Sequence, residues 1–258
     1  MSEPTSNEDR HVTRSLRNNL LPYLTKVAYG STPFITTFVL IHLAAPAAAN
    51  FGGSALSSQT MLLGREYYQT NFGETYLVLG PIAVHTLAGV AKRLLSIRGT
   101  PPRRLTSILS WTGYTTLLLF LPIHFMTHRV DPTSTSAAIS AVGPAELDYE
   151  FVKLGLQKWP IRSWFLYTGL VSSVVLHMVD GTTIVWNAWI KDSFIGKLSW
   201  KTPGDPQRKR KLKFVKYLAG VVLPVLSGLY VISNEPSMIF ASMSKRFEAV
   251  FRESWVYN

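Results

Sequence analysis

Five apolar stretches separated by clustered charges constrain this chain more than any other feature. Each runs to about 17–25 residues, the length that carries an α-helix across roughly 30 Å of hydrocarbon. The first extends from Pro33 to Phe51, and the second from Thr75 to Ala91, where Lys92 and Arg93 close it. The third covers Ser107 to Thr127 and the fourth Ser163 to Trp186. The fifth, Tyr217 to Ser233, is shorter and contains Pro224. A helix buried in a soluble core would be shorter and would show a polar stripe. With 47% hydrophobic and 16% charged residues in 258, the pattern predicts an all-α, polytopic membrane protein with five transmembrane helices. The expected divisions are a polar N-terminal segment (1–32), a transmembrane domain (33–233) and an amphipathic C-terminal segment (234–258).

The net charge of +11 excludes little by itself. No aromatic-interleaved basic domain accompanies it, so nucleic acid is not the expected partner. In a membrane protein a basic excess marks the loops that face anionic lipid. Of the 26 Lys and Arg residues, eighteen fall in the N-terminal segment, the second-to-third loop and the fourth-to-fifth loop, and eight on the other side. The positive-inside rule therefore places the N-terminus in the cytosol and the C-terminus across the membrane. Glu3, Glu8 and Asp9 argue against a matrix transit peptide, which avoids acids. The absence of Cys excludes disulfides, thiolate catalysis, iron–sulfur ligation and covalent c-type haem.

Two segments outside the spans read as helices. Pro144–Gln157 has Pro at its start and acids in its first turn. Phe240, Met243, Phe247, Val250, Phe251 and Trp255 recur at steps of three and four with charges between them. The expectation is an amphipathic helix lying in the membrane interface, with a helix packed beneath the spans as the alternative.

Histidines supply the chemistry. His11 lies in the polar tail, but His42, His85, His124, His128 and His177 sit in or at the end of the first four spans. One intramembrane histidine is usually an interhelical hydrogen bond, whereas one in each of four successive helices points to a shared ligand. His85 is followed four residues later by Gly89, and His177 by Gly181, which puts each glycine on the face of its histidine. An imidazole beside bare backbone suits a large flat macrocycle. At about 1.5 Å per residue, His85 lies about 10 Å and His177 about 15 Å below the cytosolic boundary. These two are the expected axial ligands of one b-type haem, and Arg93, on the His85 face, is positioned to pair with a propionate. His42 and His124 are candidates for a second haem, although their depths differ by a turn or two.

A weak repeat underlies the pattern. Thr36-Thr37 precedes His42, Thr115-Thr116 precedes His124, and each pair is followed by a span with His-x-x-x-Gly. Two related hairpins would form a histidine-bearing four-helix bundle with the fifth helix appended. Asp180 is the only acid well inside a span. With Thr112, Thr115, Thr116, Ser172 and Ser173 it is the candidate border of a polar groove, or a partner for a histidine or Tyr167. No metalloprotease, phosphate-loop or hydrolase motif is present.

Two resemblances follow. The four histidine-bearing helices look like the membrane anchors of succinate dehydrogenase and fumarate reductase. The segments Leu63–Glu74 (LGREYYQTNFGE), His85–Arg93 (HTLAGVAKR), Leu147–Pro160 (LDYEFVKLGLQKWP) and His177–Gly181 resemble the fungal mitochondrial outer-membrane adaptors of the Mdm-ten-complementing protein family. That resemblance implies an outer-membrane protein that contacts membrane lipids, recruits a bridge-like lipid-transfer protein at contact sites and scrambles delivered phospholipid. Family members recruit the partner through a Pro-x-Pro motif in the cytosolic segment. This sequence has none, Pro4 and Pro22 standing alone, so the docking segment has diverged or is missing from this chain. The alternative is a cytochrome b anchor of a quinone-linked oxidoreductase.

Overall fold

The computed structural model describes residues 7–97, 103–191 and 206–258. Arg98, Lys197 and Lys201 of the charge count lie outside them, as do Glu3 and Pro4. The described residues contain no strand, and five helices are long and apolar enough to cross a membrane: Asn18–Tyr68, Gly73–Ser96, Ile108–Thr133, Pro160–Trp189 and Lys211–Asn234. The chain is a polytopic α-helical membrane protein.

The first span lies within α1 (Asn7–Tyr68), which is broken at Gly52 and Gly53. The expected end at Phe51 is this break. Gly53 adopts φ +60°, a left-handed conformation that side chains rarely take, and a Cβ there would lie 1.9 Å from Glu235 Oε1. The helix restarts at Ser54, whose N–H donates to both Glu235 carboxylate oxygens at 3.1 and 3.2 Å. Glu235 thus caps the second half of α1 from a residue 181 positions away.

Prolines explain the shape of the other spans. Gly73–Leu79 is π-helical and leads into α2 (Gly80–Ile97), in which Pro81 is the second residue. The third span joins α3 (Ile108–Thr115), a π segment (Thr116–Phe120), α4 (Leu121–Phe125) and a second π segment (Met126–Val130). In the fifth, α7 (Pro206–Tyr217) passes through π-helical Leu218–Val222 into α8 (Leu223–Asn234). Pro81, Pro122 and Pro224 each directly follow a residue whose N–H reaches back five positions: Gly80 to Thr75, Leu121 to Thr116 and Leu223 to Leu218. Proline has no N–H and its ring clashes with the carbonyl four residues back, so the wider turn lets the chain pass without a break. The fourth span meets its proline differently: α6 (Pro160–Val185) starts on Pro160, where a missing N–H costs nothing, and its π segment, Trp186–Ile190, comes only at the far end.

The loop helix, α5 (Tyr149–Lys158), begins later than expected. Asp148, not Pro144, ends the turn before it, accepting the Glu150 N–H at 2.9 Å. The C-terminal helix, α9 (Ala241–Glu253), also departs from expectation. Its apolar face does not lie open to lipid: Phe247, Val250 and Phe251 are fully buried against α5 and the ends of the third and fourth spans. Phe151 stacks on Phe251 at 4.3 Å, and a Cβ at Gly155 would lie 2.6 Å from the Phe251 ring. Only Phe240 and Trp255, at the two ends, stay exposed.

The chain falls into two compact units, Met1–Leu40 with Glu66–Arg104, and Ile41–Arg65 with Leu105–Asn258. In the second, the fifth span is well integrated. Val222, Val225, Leu229 and Ile232 are buried with residues of the first and fourth spans. A Cβ at Gly228 would fall 1.9 Å from the Pro46 carbonyl oxygen, so the two backbones touch, as small residues permit between membrane helices.

Candidate histidine sites and a buried lysine cluster

In the first unit, His85 Nδ1 lies 3.0 Å from the Ala28 carbonyl oxygen and 3.1 Å from Ser31 Oγ, while the Ser31 hydroxyl itself donates to Ala28 at 2.8 Å. A carbonyl only accepts, so Nδ1 carries a proton there, which in the neutral ring leaves the lone pair on Nε2. A Cβ at Gly89 would meet nothing within 4 Å. Arg93 donates to the Arg103 carbonyl at 3.1 Å, and Lys92 Nζ stands 5.7 Å over the Tyr29 ring.

The second unit repeats the arrangement. His177 Nδ1 lies 3.0 Å from the Leu109 carbonyl, which again fixes the proton on Nδ1. Its ring lies on bare backbone, since a Cβ at Gly113 would sit 2.8 Å from His177 Cε1. A Cβ at Gly181 would meet nothing. Two histidines chosen by their His-x-x-x-Gly spacing thus share a tautomer, a backbone orienting group and an uncovered glycine. A histidine that ligates iron through Nε2 is oriented in this way, by an Nδ1–H bond to a carbonyl. In donor chemistry and in open backbone, each half fits a haem ligand.

His42, His124 and His128 form a separate cluster in the second unit. The His42 and His124 rings meet edge to face at 5.9 Å, and those of His124 and His128 lie 4.4 Å apart. A regular rise would set His42 and His124 at different depths, but the third span holds two π segments. Tyr167 Oη lies 3.2 Å from His128 Nε2. Beside them His124, Thr127, His128, Tyr167 and Tyr257 line a cavity of about 10 Å³, the size of one water. The buried Thr127 hydroxyl, which lines this cavity, has no hydrogen-bond partner among the described residues.

Three of the six polar residues expected to border a groove are used in packing instead, while Thr115 stays half-buried on the backbone of its own helix. Thr116 donates to Ser173 at 2.9 Å, tying the third span to the fourth, and Thr112 is buried on the Ile108 carbonyl. Ser172 and Asp180 remain half-buried on α6.

One cluster escaped the sequence reading. Lys153, 1% exposed, places Nζ 2.5 Å from Glu150 Oε1, 3.2 Å from Glu235 Oε2, and 3.1 Å from both Ser54 Oγ and the Pro236 carbonyl. Glu150 Oε2 in turn accepts the Met238 N–H at 3.1 Å. Burial alone would raise the Glu235 carboxyl, but the bonds from Ser54 and Lys153 outweigh it and hold it below the usual carboxylate range. The cluster pins the break in α1, the start of α5 and the end of the fifth span together. Glu150 and Lys153, three residues apart, look like a solvated pair in sequence, and nothing local announces the third partner 82 residues on.

No curated protein and no solved structure matches the chain. A family model does: residues 119–235, just under half of the chain, match the one described as MDM10-complementing protein 1, transmembrane domain. From the middle of the third span through the fifth, with His124, His128, Lys153 and His177 inside the match, the chain is similar to that domain.

Proposed function

We propose that this chain is a haem b-binding protein of the mitochondrial outer membrane that acts in lipid homeostasis at membrane contact sites, as adaptor for a bridge-like lipid-transfer protein and as phospholipid scramblase. The observation that carries the reading is the match of 119–235 to the transmembrane domain of MDM10-complementing protein 1. The charge asymmetry adds the orientation, N-terminus in the cytosol and C-terminus in the intermembrane space.

The haem ligands in this reading are His85 and His177. Held by two imidazoles, b-type haem supplies a low-spin iron that exchanges single electrons. The chain's own part is to keep each Nε2 unprotonated. The Ala28 carbonyl and Ser31 do this for His85, and the Leu109 carbonyl for His177. Gly89 and Gly181 leave the adjoining backbone uncovered. Arg93 offers a guanidinium for a propionate.

Scrambling requires a route on which a headgroup keeps polar contacts, because bare hydrocarbon penalises an unsatisfied polar group by several kcal/mol. Asp180, Ser172 and Thr115, all half-buried, would border it. The test is reconstitution into liposomes containing a fluorescent phospholipid. Dithionite added outside should bleach well beyond the outer-leaflet half, and Asp180→Leu should slow the second phase. Bleaching that stalls at about half with the wild-type protein removes scrambling from the reading.

A further inference from the structure

We propose that the fifth span carries a binding site for one anionic phospholipid, its phosphate at Lys216 and one acyl chain in an open groove between the first and fifth spans. The groove has a volume of about 720 Å³, within the range of ligand sites, and is lined by Ala44, Ala47, Ala48 and Phe51 on one side and Ala219, Leu223 and Leu226 on the other. Its two walls are fixed by Asn50, whose amide donates to the Ala47 carbonyl at 2.8 Å and to the Pro224 carbonyl at 2.7 Å. It is apolar and lies within two spans, so hydrocarbon is the chemistry that fills it.

Charge selects the headgroup. The twelve residues of α7 include Arg208, Lys209, Arg210, Lys211, Lys213 and Lys216, and no acid. Like charges three apart on a helix repel, as Lys213 with Lys216, so the helix asks for anions around it. The depth is also set. Lys213 Nζ donates to Thr183 Oγ1 of the fourth span at 3.1 Å, just before Trp186 and Trp189, and tryptophans mark the membrane–water boundary.

The groove opens directly below these charges. Lys216, Ala219, Gly220, Leu223 and Ser227 follow one another at steps of one, three or four and are all exposed, forming one stripe along the helix. A Cβ at Gly220 would meet nothing within 4 Å. From Lys216 to Ser227 is about 16 Å at 1.5 Å per residue. That is about half of the roughly 30 Å hydrocarbon thickness, the depth of one leaflet. A phosphate at the top of the stripe would therefore direct one acyl chain down its length. The site depends on membrane insertion and on neither haem nor scrambling.

The test is electron spin resonance of the purified full chain in micelles with phosphatidic acid or phosphatidylcholine, each spin-labelled near the end of one acyl chain. The immobilised fraction should favour phosphatidic acid by about fivefold, the worth of one lysine near anionic lipid (about 1 kcal/mol). Lys216→Gln should bring phosphatidic acid down to the phosphatidylcholine level, and Lys216→Arg should not. Ala48→Leu with Ala219→Leu, which enlarges one residue on each wall of the groove, should lower immobilisation of both lipids. Equal fractions in the wild-type protein would overturn the proposal, as would a preference that survives both Lys216→Gln and the filled groove. Displacement by inorganic phosphate with no effect of filling the groove would show a phosphate site in place of a lipid site, and would overturn it as well.

Discussion

Lys153 carries its amine into an interior position and keeps it there with two carboxylates, a hydroxyl and a carbonyl. Taking a charge out of water costs several kcal/mol, which such a cluster offsets only while it is complete. Lys153→Met should therefore destabilise the protein by about 3 kcal/mol or more, because two carboxylates lose their cation. Adding Glu150→Leu should recover part of the loss, as apolar replacement of a buried pair is often neutral. Thermal unfolding of the full chain in detergent measures both. The cluster also sets a pH dependence. Glu235 is held below its ordinary range, so its contribution is present above the unfolded carboxylate value of about 4.3 and lost as pH falls through the lower folded value. The Tm should hold from neutral pH to about 5 and fall below about 4. Glu235→Gln should flatten that fall; an unchanged acid limb would remove Glu235 as its source. At this scale the sequence showed the histidines and hid the lysine. Histidines inside apolar runs stand out by their cost, whereas Lys153 becomes unusual only once Ser54 and Glu235 are beside it.

At the scale of elements, hydrophobic length located all five spans, because a membrane reads length and apolarity directly. What length does not encode is how a span passes its proline or which face of a short helix finds protein. The π turns before Pro81, Pro122 and Pro224 follow from steric rules that act on backbone geometry, not on composition. The apolar face of α9 has the pattern of an interfacial helix, yet Phe151 and Gly155 of α5 shape a surface that fits Phe251 and takes that face out of lipid. The break in α1 was legible as the end of an apolar run, and its left-handed glycine fixes it. Gly53→Ala should be destabilising by more than about 1 kcal/mol, since the methyl group is strained at positive φ and collides with Glu235. Gly89→Ala, with open space at its Cβ, should leave the stability within about 0.5 kcal/mol of wild type. Equal losses in the two variants would contradict the assignment of the α1 break to Gly53.

For the molecule as a whole, the charge asymmetry grows sharper in the structure, because Lys153, counted on the less basic side, is buried and paired. The expected orientation leaves Lys211–Lys216 in the cytosol and the C-terminal helix across the membrane. A C-terminal tag should resist protease on intact mitochondria and be cut once the outer membrane is ruptured; cutting without rupture contradicts this orientation. The central claim is that His85 and His177, each oriented by a backbone carbonyl, hold a b-type haem. The absorption spectrum of the purified protein tests it most directly. The account predicts a Soret band, visible bands that split on reduction, and loss or conversion of this low-spin spectrum in His85→Ala and in His177→Ala but not in His11→Ala. A wild-type protein without a Soret band, or a low-spin spectrum that persists in full in both mutants, would contradict it.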